Sequence, residues 1–538
     1  MKDEKSVASA RLTLAERAEL LVIGAGPAGL SAAITAAEAG MQVVLVDENP
    51  VPFEVMGDDV PLHFGQGASG VARNSAAMLE AIIESEPLIE RAFEAGVDLR
   101  LGVAAWGLYA NGPEMRWLPG AVAGLTDGAQ GWMLGADHVI VASGRRDMGL
   151  AFPGWERPGV MGATAAVTLA RRYQALAPRR VVLIGTGAEA LLAARELMAC
   201  GVEIAAIVEQ ASAPVGPPAL AAEVASLLSS TGGEMLCGHV PRGVAGGEAV
   251  TGLTAAPVAG GAVREIACDG VILGVGVTPV VDLLGAMGCD LAFQAERGGY
   301  APLLGPSGRT SVASVHAVGD CAGIWPKKSA DRAIAEAEGA RAAAAILTET
   351  GRAAPSLPEP ELPGPPALDL SAYRTAWMRA AVIDAPCGAH VCQCEEVTAR
   401  EILELRPPRY LGWAPPEGTN DERSLARLLG EGPPNPDQVK RLTRAGMGPC
   451  QGRRCREQVA ALLALQSGET LAQIPLAGYR APVRPLPLAI AAQIPEVEEM
   501  RAHWEVWFGI PSQWRPWWEH PGHYTSAGRE RGAQVNSE

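Results

Sequence analysis

The chain has 538 residues, and its 44 Lys and Arg against 60 Asp and Glu give a formal net charge of −16. This acidic balance argues against a nucleic-acid partner or an anionic membrane, and a hydrophobic content of 48% excludes wholesale disorder. The length allows about three to four domains, at roughly 150 residues for each domain.

Residues 1–20 mix charges of both signs and contain no apolar stretch, so we expect no signal peptide. No uninterrupted apolar run reaches the roughly 18 residues that a membrane span needs. Ten cysteines are too few for a disulfide framework in a chain of this length. The sequence therefore predicts a reduced, cytoplasmic protein without a membrane span.

The first predicted elements form a strand–turn–helix–strand unit over residues 20–48. Its turn carries glycines in G-x-G-x-x-G spacing: the first permits the tight turn, the second lets the backbone approach a pyrophosphate, and the third lets the helix pack closely on its strand. An acid at the end of the second strand is placed to bind ribose hydroxyls, and we expect Glu48 in this role, with Asp47 as the alternative. The dinucleotide-binding residues expected here are Gly24, Gly26, Pro27, Ala28, Gly29, Asp47 and Glu48.

A second unit with the same order of elements begins at Arg180. Its turn contains Gly185 and Gly187, with alanine at the third glycine position, a replacement that such turns tolerate. Glu209 ends the following strand and would favour NAD over NADP, because it would repel the 2′-phosphate. A fold kept only as a scaffold, or a site for another nucleotide such as ATP, remains an open alternative.

A further segment of this type is Val318-Gly319-Asp320, where a strand ends ahead of a predicted helix. This arrangement places a carboxylate beside a ribitol hydroxyl of a flavin dinucleotide, although an ordinary helix cap is the alternative. Cys321 stands alone after it, and Cys200 lies in a predicted Ala/Leu-rich helix. Neither Cys200 nor Cys321 is part of a C-x-x-C pair, so we do not expect disulfide-reductase chemistry.

Four cysteines near the C-terminus form two tight pairs, Cys392 and Cys394 as C-x-C and Cys450 and Cys455 as C-x₄-C. Each pair lies in a predicted loop that leads into a helix. Four thiolates held in this way suit an iron–sulfur cluster, because backbone amides and helix N-termini offset its negative charge. Structural zinc more often uses C-x₂₋₄-C pairs, so the C-x-C pair counts against zinc, which stays as the alternative.

The last residues are rich in Trp, with five of the twelve tryptophans within fifteen positions. We favour packing of this tail on its own chain over a role as an aromatic anchor for another subunit. The five residues are Trp504, Trp507, Trp514, Trp517 and Trp518.

Three segments together resemble the two-dinucleotide-domain flavoproteins that include glutathione and thioredoxin reductases. They are the GAGPAGL turn from Gly24, the A-S-G-R string at 142–145 and the V-G-D string at 318–320. In that family one FAD domain is interrupted by a second domain that binds NAD(P)H. The resemblance implies an α/β fold with two Rossmann-like domains. It also implies five further FAD-binding residues, Ala142, Ser143, Gly144, Gly319 and Asp320.

The strings CQCEEVT and RAGMGPCQGRRC resemble the small α-helical [2Fe–2S] domain related to bacterioferritin-associated ferredoxin. The resemblance implies all four paired cysteines as cluster ligands. The 55 residues between Cys394 and Cys450 are long for that domain, which we attribute to an insertion at 405–436. The expected divisions are an FAD domain at 18–150 and 265–350, a second nucleotide-binding domain at 151–264, a Pro-rich linker at 351–368, the [2Fe–2S] domain at 369–470 and a C-terminal extension at 471–538.

The order of these parts resembles the larger flavin subunit of heteromeric amine dehydrogenases, the type found in opine, hydroxyproline and proline dehydrogenases and in hydrogen cyanide synthase. The resemblance implies a hetero-oligomer in which a separate FAD-containing subunit oxidises the C–N bond of an amino-acid-derived secondary amine. Whether the complex also contains a small ferredoxin-like subunit is left open. Electrons would then pass through the cluster region towards the FAD of this chain, in which we name no catalytic acid, base or nucleophile.

One departure concerns the stretch after the ribose acid, where the family carries G-G-Q and this chain has VPFEVMGDD at 51–59. Two other functions stay open. One is a self-sufficient NAD(P)H-dependent flavoprotein reductase that passes electrons out through the cluster, and the other is a zinc-containing redox-sensing or assembly module.

Overall fold

The computed structural model of the chain describes residues 14–50, 74–112, 118–385, 388–412 and 423–494. The VPFEVMGDD segment, the Trp-rich tail and Cys387 lie outside the described residues. Among the helices that are described, none is both long enough and apolar enough to span a membrane.

Parallel sheets with helical connections dominate the described chain. The strands are β1 (Glu16–Ile23), β2 (Val43–Asp47), β3 (Asp98–Leu101), β4 (Ala104–Tyr109), β5 (Ala121–Thr126), β6 (Gly131–Val141), β7 (Arg145–Asp147), β8 (Val160–Gly162), β9 (Arg180–Ile184), β10 (Glu203–Glu209), β11 (Glu234–Cys237), β12 (His239–Gly246), β13 (Val250–Pro257), β14 (Arg264–Ala267), β15 (Gly270–Leu273), β16 (Val277–Pro279), β17 (Leu291–Gln294), β18 (Gly299–Pro302), β19 (Val315–Ala317), β20 (His390–Cys392) and β21 (Val397–Thr398).

The helices connect and cover these strands. They are α1 (Pro27–Glu38), α2 (Ser75–Ser85), α3 (Leu88–Glu94), α4 (Ala163–Arg171), α5 (Ala188–Ala199), α6 (Pro218–Thr231), α7 (Asp282–Ala286), α8 (Pro326–Ala330), α9 (Arg332–Glu349), α10 (Leu370–Met378), α11 (Ala399–Leu403), α12 (Leu425–Glu431), α13 (Pro436–Thr443), α14 (Arg456–Ser467) and α15 (Leu488–Ala491).

The first domain is built on a sheet of order β3-β2-β1-β6-β5-β4, with β19 also paired to β6. Strands β3, β2, β1, β6 and β19 are parallel, whereas β5 and β4 form an antiparallel extension. Leu20, Leu21 and Val22 of β1 are fully buried, which is typical of a parallel strand covered on both faces. Helix α9 packs on α1, because Gly339 leaves room for the Ala28 carbonyl where a Cβ would overlap it.

The second domain has a parallel sheet of order β11-β10-β9-β15-β8 and an antiparallel sheet of order β12-β13-β14. The chain enters this domain through β7 and leaves it through β16, and these two strands pair as an antiparallel ribbon. Strand β15 still pairs with β8 and β9 of the second sheet. The predicted return to the first domain at residue 265 is therefore too early, and the return occurs at the ribbon.

The cysteine-bearing region shares a continuous hydrophobic core with the second domain. Trp377 of α10 and Val391 of β20 are buried in the same cluster as Phe152 and Val240 of the second domain. Residues 352–366 contain no helix or strand, in agreement with the composition expected of a linker. The region after this segment is therefore docked by apolar packing rather than held only by its connection.

The chain then turns back to the first domain. Val483 donates its backbone N–H to the Trp106 carbonyl at 2.8 Å, and Ile490 of α15 lies against Gly131 at the start of β6. The expected α/β architecture with two parallel-sheet domains is confirmed, and the final segment adds a wall to the first domain that no sequence pattern indicated.

Candidate cofactor sites

The first glycine turn has the geometry that a dinucleotide phosphate needs. Gly24 has a φ of +114°, and a Cβ there would overlap the carbonyl oxygen of Ala142. A Cβ at Gly29 would overlap the carbonyl oxygen of Gly24, so this glycine sets how closely α1 approaches β1. Gly26 faces open space, with nothing within 4 Å of a Cβ placed on it. The turn therefore leaves the start of α1 open to a ligand.

Helix α1 begins after Gly26 with Pro27 at its first position, and no acid lies in its first turn. Its free N–H groups and dipole therefore favour an anion, as the pyrophosphate of a dinucleotide requires. A cavity of about 390 Å³ adjoins this turn and is lined by Gly24, Gly26 and the segment Ala142–Gly144. These residues fit the group for which the sequence predicted them.

Asp47 and Glu48 have different roles at the end of β2. Asp47 accepts hydrogen bonds from the N–H groups of Ala25 at 2.7 Å and Asn49 at 2.8 Å, so its carboxylate fastens the glycine turn. Burial raises the pKa of Asp47, and these N–H groups oppose that rise. Glu48 lines the cavity together with Asp47 and forms an ion pair with Arg484. Both carboxylates border the cavity, and the ribose role expected of Glu48 stays a prediction.

The Gly319–Asp320 turn is held by a buried pair of charges. Lys328 donates to the Gly319 carbonyl at 2.8 Å, and Glu338 accepts from the Gly319 N–H at 2.8 Å. Lys328 is 3% exposed, and its burial lowers its pKa, which its pairing with Glu338 opposes. Asp320 pairs with Arg145 at 3.4 Å, and it is Arg145 rather than Asp320 that lines the cavity.

The second glycine turn has a similar backbone in different surroundings. Gly185 has a φ of +106°, and Gly187 is open on its Cβ side. Glu189 lies in the first turn of α5, where a carboxylate opposes the binding of an anion. The loop after β10 packs over the turn, so that a Cβ at Gly216 would lie 2.6 Å from the Thr186 carbonyl oxygen.

Glu209 is fully buried and is satisfied by groups of this chain. Its Oε2 accepts from the Thr186 N–H at 2.9 Å, from the Thr186 hydroxyl at 2.7 Å and from the Tyr373 hydroxyl at 2.9 Å. Its Oε1 accepts from the Ala211 N–H at 2.9 Å. Tyr373 belongs to α10, so the helix that leads into the cysteine region closes over the acid expected to bind a ribose.

The structure brings the four paired cysteines together. The Cys394 and Cys450 sulfurs are 3.5 Å apart. The pKa of Cys392 is raised to about 12: its contact with the Cys394 thiol lowers it, but its contact with the Cys455 thiol and burial raise it more. Cys392 and Cys455 are each 1% exposed, whereas Cys394 is exposed. The thiols thus form a series of contacts from Cys455 through Cys392 and Cys394 to Cys450, with Cys394 at the surface.

Backbone groups support these thiols. The Gly446 N–H donates to the Cys392 sulfur at 3.4 Å, and a Cβ at Gly448 would lie 2.5 Å from the Cys394 sulfur. Amide donors and close backbone approach are features of sites that hold thiolate sulfur. Within the described residues, no group of three or more His, Cys, Asp or Glu side chains has the arrangement of a site for a metal ion.

Five arginines line this cavity, none of them predicted as a site residue, and three of the five come from widely separated parts of the chain. Arg146 pairs with Asp282 at 2.7 Å, Arg484 comes from the returning C-terminal segment, and Arg453 lies inside the C-x₄-C string. The ion pair of Arg484 joins it to a residue 436 positions away. Of these three arginines, only Arg453 lies in a sequence motif that predicts a site. That motif identified the cysteine loop, but it did not indicate the direction of the Arg453 side chain.

Comparisons with known proteins agree with this architecture. A family model described as pyridine nucleotide-disulphide oxidoreductase matches residues 18–344, and one described as sarcosine oxidase A3 domain matches residues 422–493. An opine oxidase subunit of Agrobacterium tumefaciens (strain Ach5) is 28% identical over 515 residues, covering 89% of this chain and 92% of that protein. The sarcosine oxidase alpha subunit of Rhizobium meliloti (strain 1021) is 25% identical over 86% of this chain and 41% of its own length.

Among solved structures, L-proline dehydrogenase from P. horikoshii shares the fold, with a TM-score of 0.57 and 20% identity over 88% of this chain and 80% of that chain. The first family model covers more than half of the 538 residues, including both glycine turns and the Gly319–Asp320 segment. The chain therefore belongs to the pyridine nucleotide-disulphide oxidoreductase family, which implies FAD binding, and it is a flavin-dependent oxidoreductase.

Proposed function

We propose that this chain is the FAD- and [2Fe–2S]-containing electron-transfer subunit of a heteromeric enzyme that oxidises the C–N bond of an amino-acid-derived secondary amine. The names of its relatives support the reaction class, since opines, sarcosine and proline are all secondary amines. Two of those names are names of subunits, which supports a hetero-oligomer with a separate amine-oxidising chain.

The observation that carries the proposal is the contact between the cysteine loop and the cavity of the first domain. Arg453 lies between Cys450 and Cys455, donates from Nε to the Cys450 carbonyl at 3.0 Å, and lines the cavity that contains the glycine turn. A cluster on these cysteines and a flavin dinucleotide in the cavity would therefore share one residue. Two electron carriers joined in this way suit a relay.

Each implied group has residues that would hold it. The open Gly26 position and the start of α1 would bind the dinucleotide phosphates, and Glu48 would face the ribose. The four thiols would ligate the [2Fe–2S] cluster, with the Gly446 N–H donating to sulfur. When bound, the flavin and the cluster supply two-electron and one-electron redox chemistry that no side chain of the protein provides.

The surroundings of Glu209 favour this function over a self-sufficient NAD(P)H-dependent reductase. A coenzyme ribose at the second turn would need the carboxylate that Thr186, Ala211 and Tyr373 already occupy. We infer that electrons reach this chain from a separate partner chain, while the second domain serves to dock the cysteine region.

Cofactor analysis of purified protein and its cysteine variants tests the proposal. We expect the wild type to contain FAD. We also expect it to contain iron and acid-labile sulfide, with the amount of iron equal to the amount of sulfide. Cys392→Ala should lose iron and sulfide, because it removes a buried ligand, whereas Cys200→Ala, at an exposed cysteine outside the site, should keep both. Zinc in place of iron and sulfide in the wild type would contradict the relay.

A further inference from the structure

One side of the first-domain cavity carries a buried concentration of arginines around a single carboxylate. Asp282 at the start of α7 is 3% exposed. Arg146 Nη1 lies 2.7 Å from its Oδ2, and Arg456 Nη1 lies 3.7 Å from its Oδ1. Arg453 lines the same cavity beside Arg146 and Asp282. Two guanidinium groups thus share one carboxylate and a third lines the cavity beside it, with Glu457 as a further acid on α14.

Several of the guanidinium nitrogens have no hydrogen-bond partner among the described residues, although the Arg456 guanidinium also lies 3.7 Å from the centre of the Tyr479 ring. Arg146 Nε and Nη2 and Arg456 Nε and Nη1 are buried without a hydrogen bond. Arg453 uses Nε on the Cys450 carbonyl, and no hydrogen bond within the described chain involves its two terminal nitrogens. Guanidinium groups in protein interiors are normally paired, because an uncompensated buried cation is costly.

Counting charges in this group shows an excess of one positive charge. Within the part of the chain that the structure describes, Arg146, Arg453 and Arg456 are opposed by Asp282 and Glu457. Arg484, on the same cavity, is already paired with Glu48. An anion that enters the cavity would restore balance and use the free N–H groups in the paired geometry that guanidinium favours.

We propose that Arg146 and Arg453 form an anion-binding site in this cavity, which takes a negatively charged group of the bound dinucleotide. The bound group is an anion whose oxygen accepts hydrogen bonds from the guanidinium groups. Two parts of the dinucleotide have this chemistry: a phosphate, and the pyrimidine edge of the reduced flavin ring. The inference rests on the proposed function, because it places the dinucleotide of that function in this cavity.

The site also joins the cavity to the cysteine loop. The Arg453 backbone lies between two of the proposed cluster ligands, and its side chain lines the cavity. A ligand held by Arg453 is therefore held by the cluster loop itself. Arg453 acts as a positioning residue between the two groups.

Ligand binding by variants of two adjacent arginines, Arg453 and Arg454, tests the site. Arg453→Gln removes the charge, Arg453→Lys retains it, and Arg454→Gln is the matched control, because Arg454 is exposed and donates to Gln393 at 2.6 Å outside the cavity. Dissociation constants for FAD and for ADP are measured on deflavinated protein, and the flavin midpoint potential is measured on reloaded protein. Thermal unfolding checks that each variant is folded.

If the anion is a phosphate, Arg453→Gln should weaken both FAD and ADP by roughly 10- to 100-fold, the effect of one charged hydrogen bond. If it is the ring edge, ADP affinity should stay unchanged while the flavin potential becomes more negative. In both cases Arg453→Lys should recover part of the loss and Arg454→Gln should match the wild type.

Unchanged FAD and ADP affinities together with an unchanged potential in both Arg453→Gln and Arg146→Gln would overturn the site. The flavin content of the wild type reports separately on the proposed function. Wild-type protein that binds ADP but carries no flavin would contradict that function, and the ADP comparison would still decide whether the arginines bind an anion.

Discussion

At the residue scale, the glycine turn of the first domain shows how far single positions were predictable. The spacing identified Gly24, Gly26 and Gly29, and the structure gives each the backbone or the space that the pattern requires. Asp47 lines the cavity as Glu48 does, but its carboxylate already accepts from the Ala25 N–H, a contact made across the turn. Local spacing does not contain that information.

Two glycine variants separate the fold of this turn from its ligand. Gly29→Ala should lower both stability and flavin content, because its Cβ would overlap a backbone carbonyl oxygen. Gly26→Ala should keep the thermal midpoint near that of the wild type but reduce flavin content, because its Cβ would enter the open approach to α1. Gly364→Ala, in open space in the linker, is the control. Full flavin occupancy in Gly26→Ala would contradict the assignment.

His316 predicts a specific pH dependence of stability. It is 1% exposed, neither ring nitrogen has a hydrogen-bond partner among the described residues, and burial, with Arg309 and His138, lowers its pKa to about 4. An unfolded histidine with a pKa of about 6.5 takes up a proton that the folded one refuses, so stability should fall as pH drops from about 6.5 towards 4. The loss attributable to His316 should be about 3 kcal/mol over that interval.

Thermal unfolding of wild type and His316→Leu at about pH 7.5, 6 and 4.5 measures this effect. The variant should lose less stability between the two lower pH values than the wild type, because it has no proton to bind there. Parallel pH profiles for the two proteins would show that His316 does not titrate as its surroundings indicate.

At the element scale, α10 joins two parts of the molecule that the sequence presented separately. Its Tyr373 reaches Glu209 at the end of β10, and its Trp377 enters the core shared with the cysteine region. The sequence predicted the strand–turn–helix–strand order of this second unit, and the structure has that order. The sequence did not show that an element 164 positions later covers the acid, because that contact depends on how the domains pack.

The contact between Tyr373 and Glu209 can be tested by removing one hydroxyl. Tyr373→Phe should lower the free energy of unfolding by about 1–3 kcal/mol, because it deletes one donor to a fully buried carboxylate. Tyr109→Phe is the control, since no hydrogen bond of the Tyr109 hydroxyl is present in the described chain. Equal stabilities for the two variants would mean that Tyr373 does not hold the second domain to α10.

The two cysteine pairs lie close together in the structure, and glycines give the backbone room beside the sulfurs. The cluster expected on these cysteines stays a prediction. The cysteine loop also directs Arg453 into the cavity. That direction was not predictable, because it depends on the docking of the whole region against the second domain.

At the scale of the whole molecule, several separate segments of the described chain meet at one cavity. The first domain supplies the glycine turn, the domain-linking ribbon supplies Arg146, the cysteine loop supplies Arg453, and the returning segment supplies Arg484. The Gly- and Ala-rich units were visible in composition and spacing. The closure of the cavity was not, because its walls come from segments separated along most of the chain.

The central claim is that electrons enter this chain from an amine-oxidising partner and not from NADH. The direct measurement is the anaerobic absorbance of the flavin and the cluster in the protein purified with its native partners and then separated from them. We predict that NADH leaves the isolated chain oxidised, and that an opine, sarcosine or proline bleaches it only after the partner chains are added back. Rapid bleaching of the isolated chain by NADH would contradict the account.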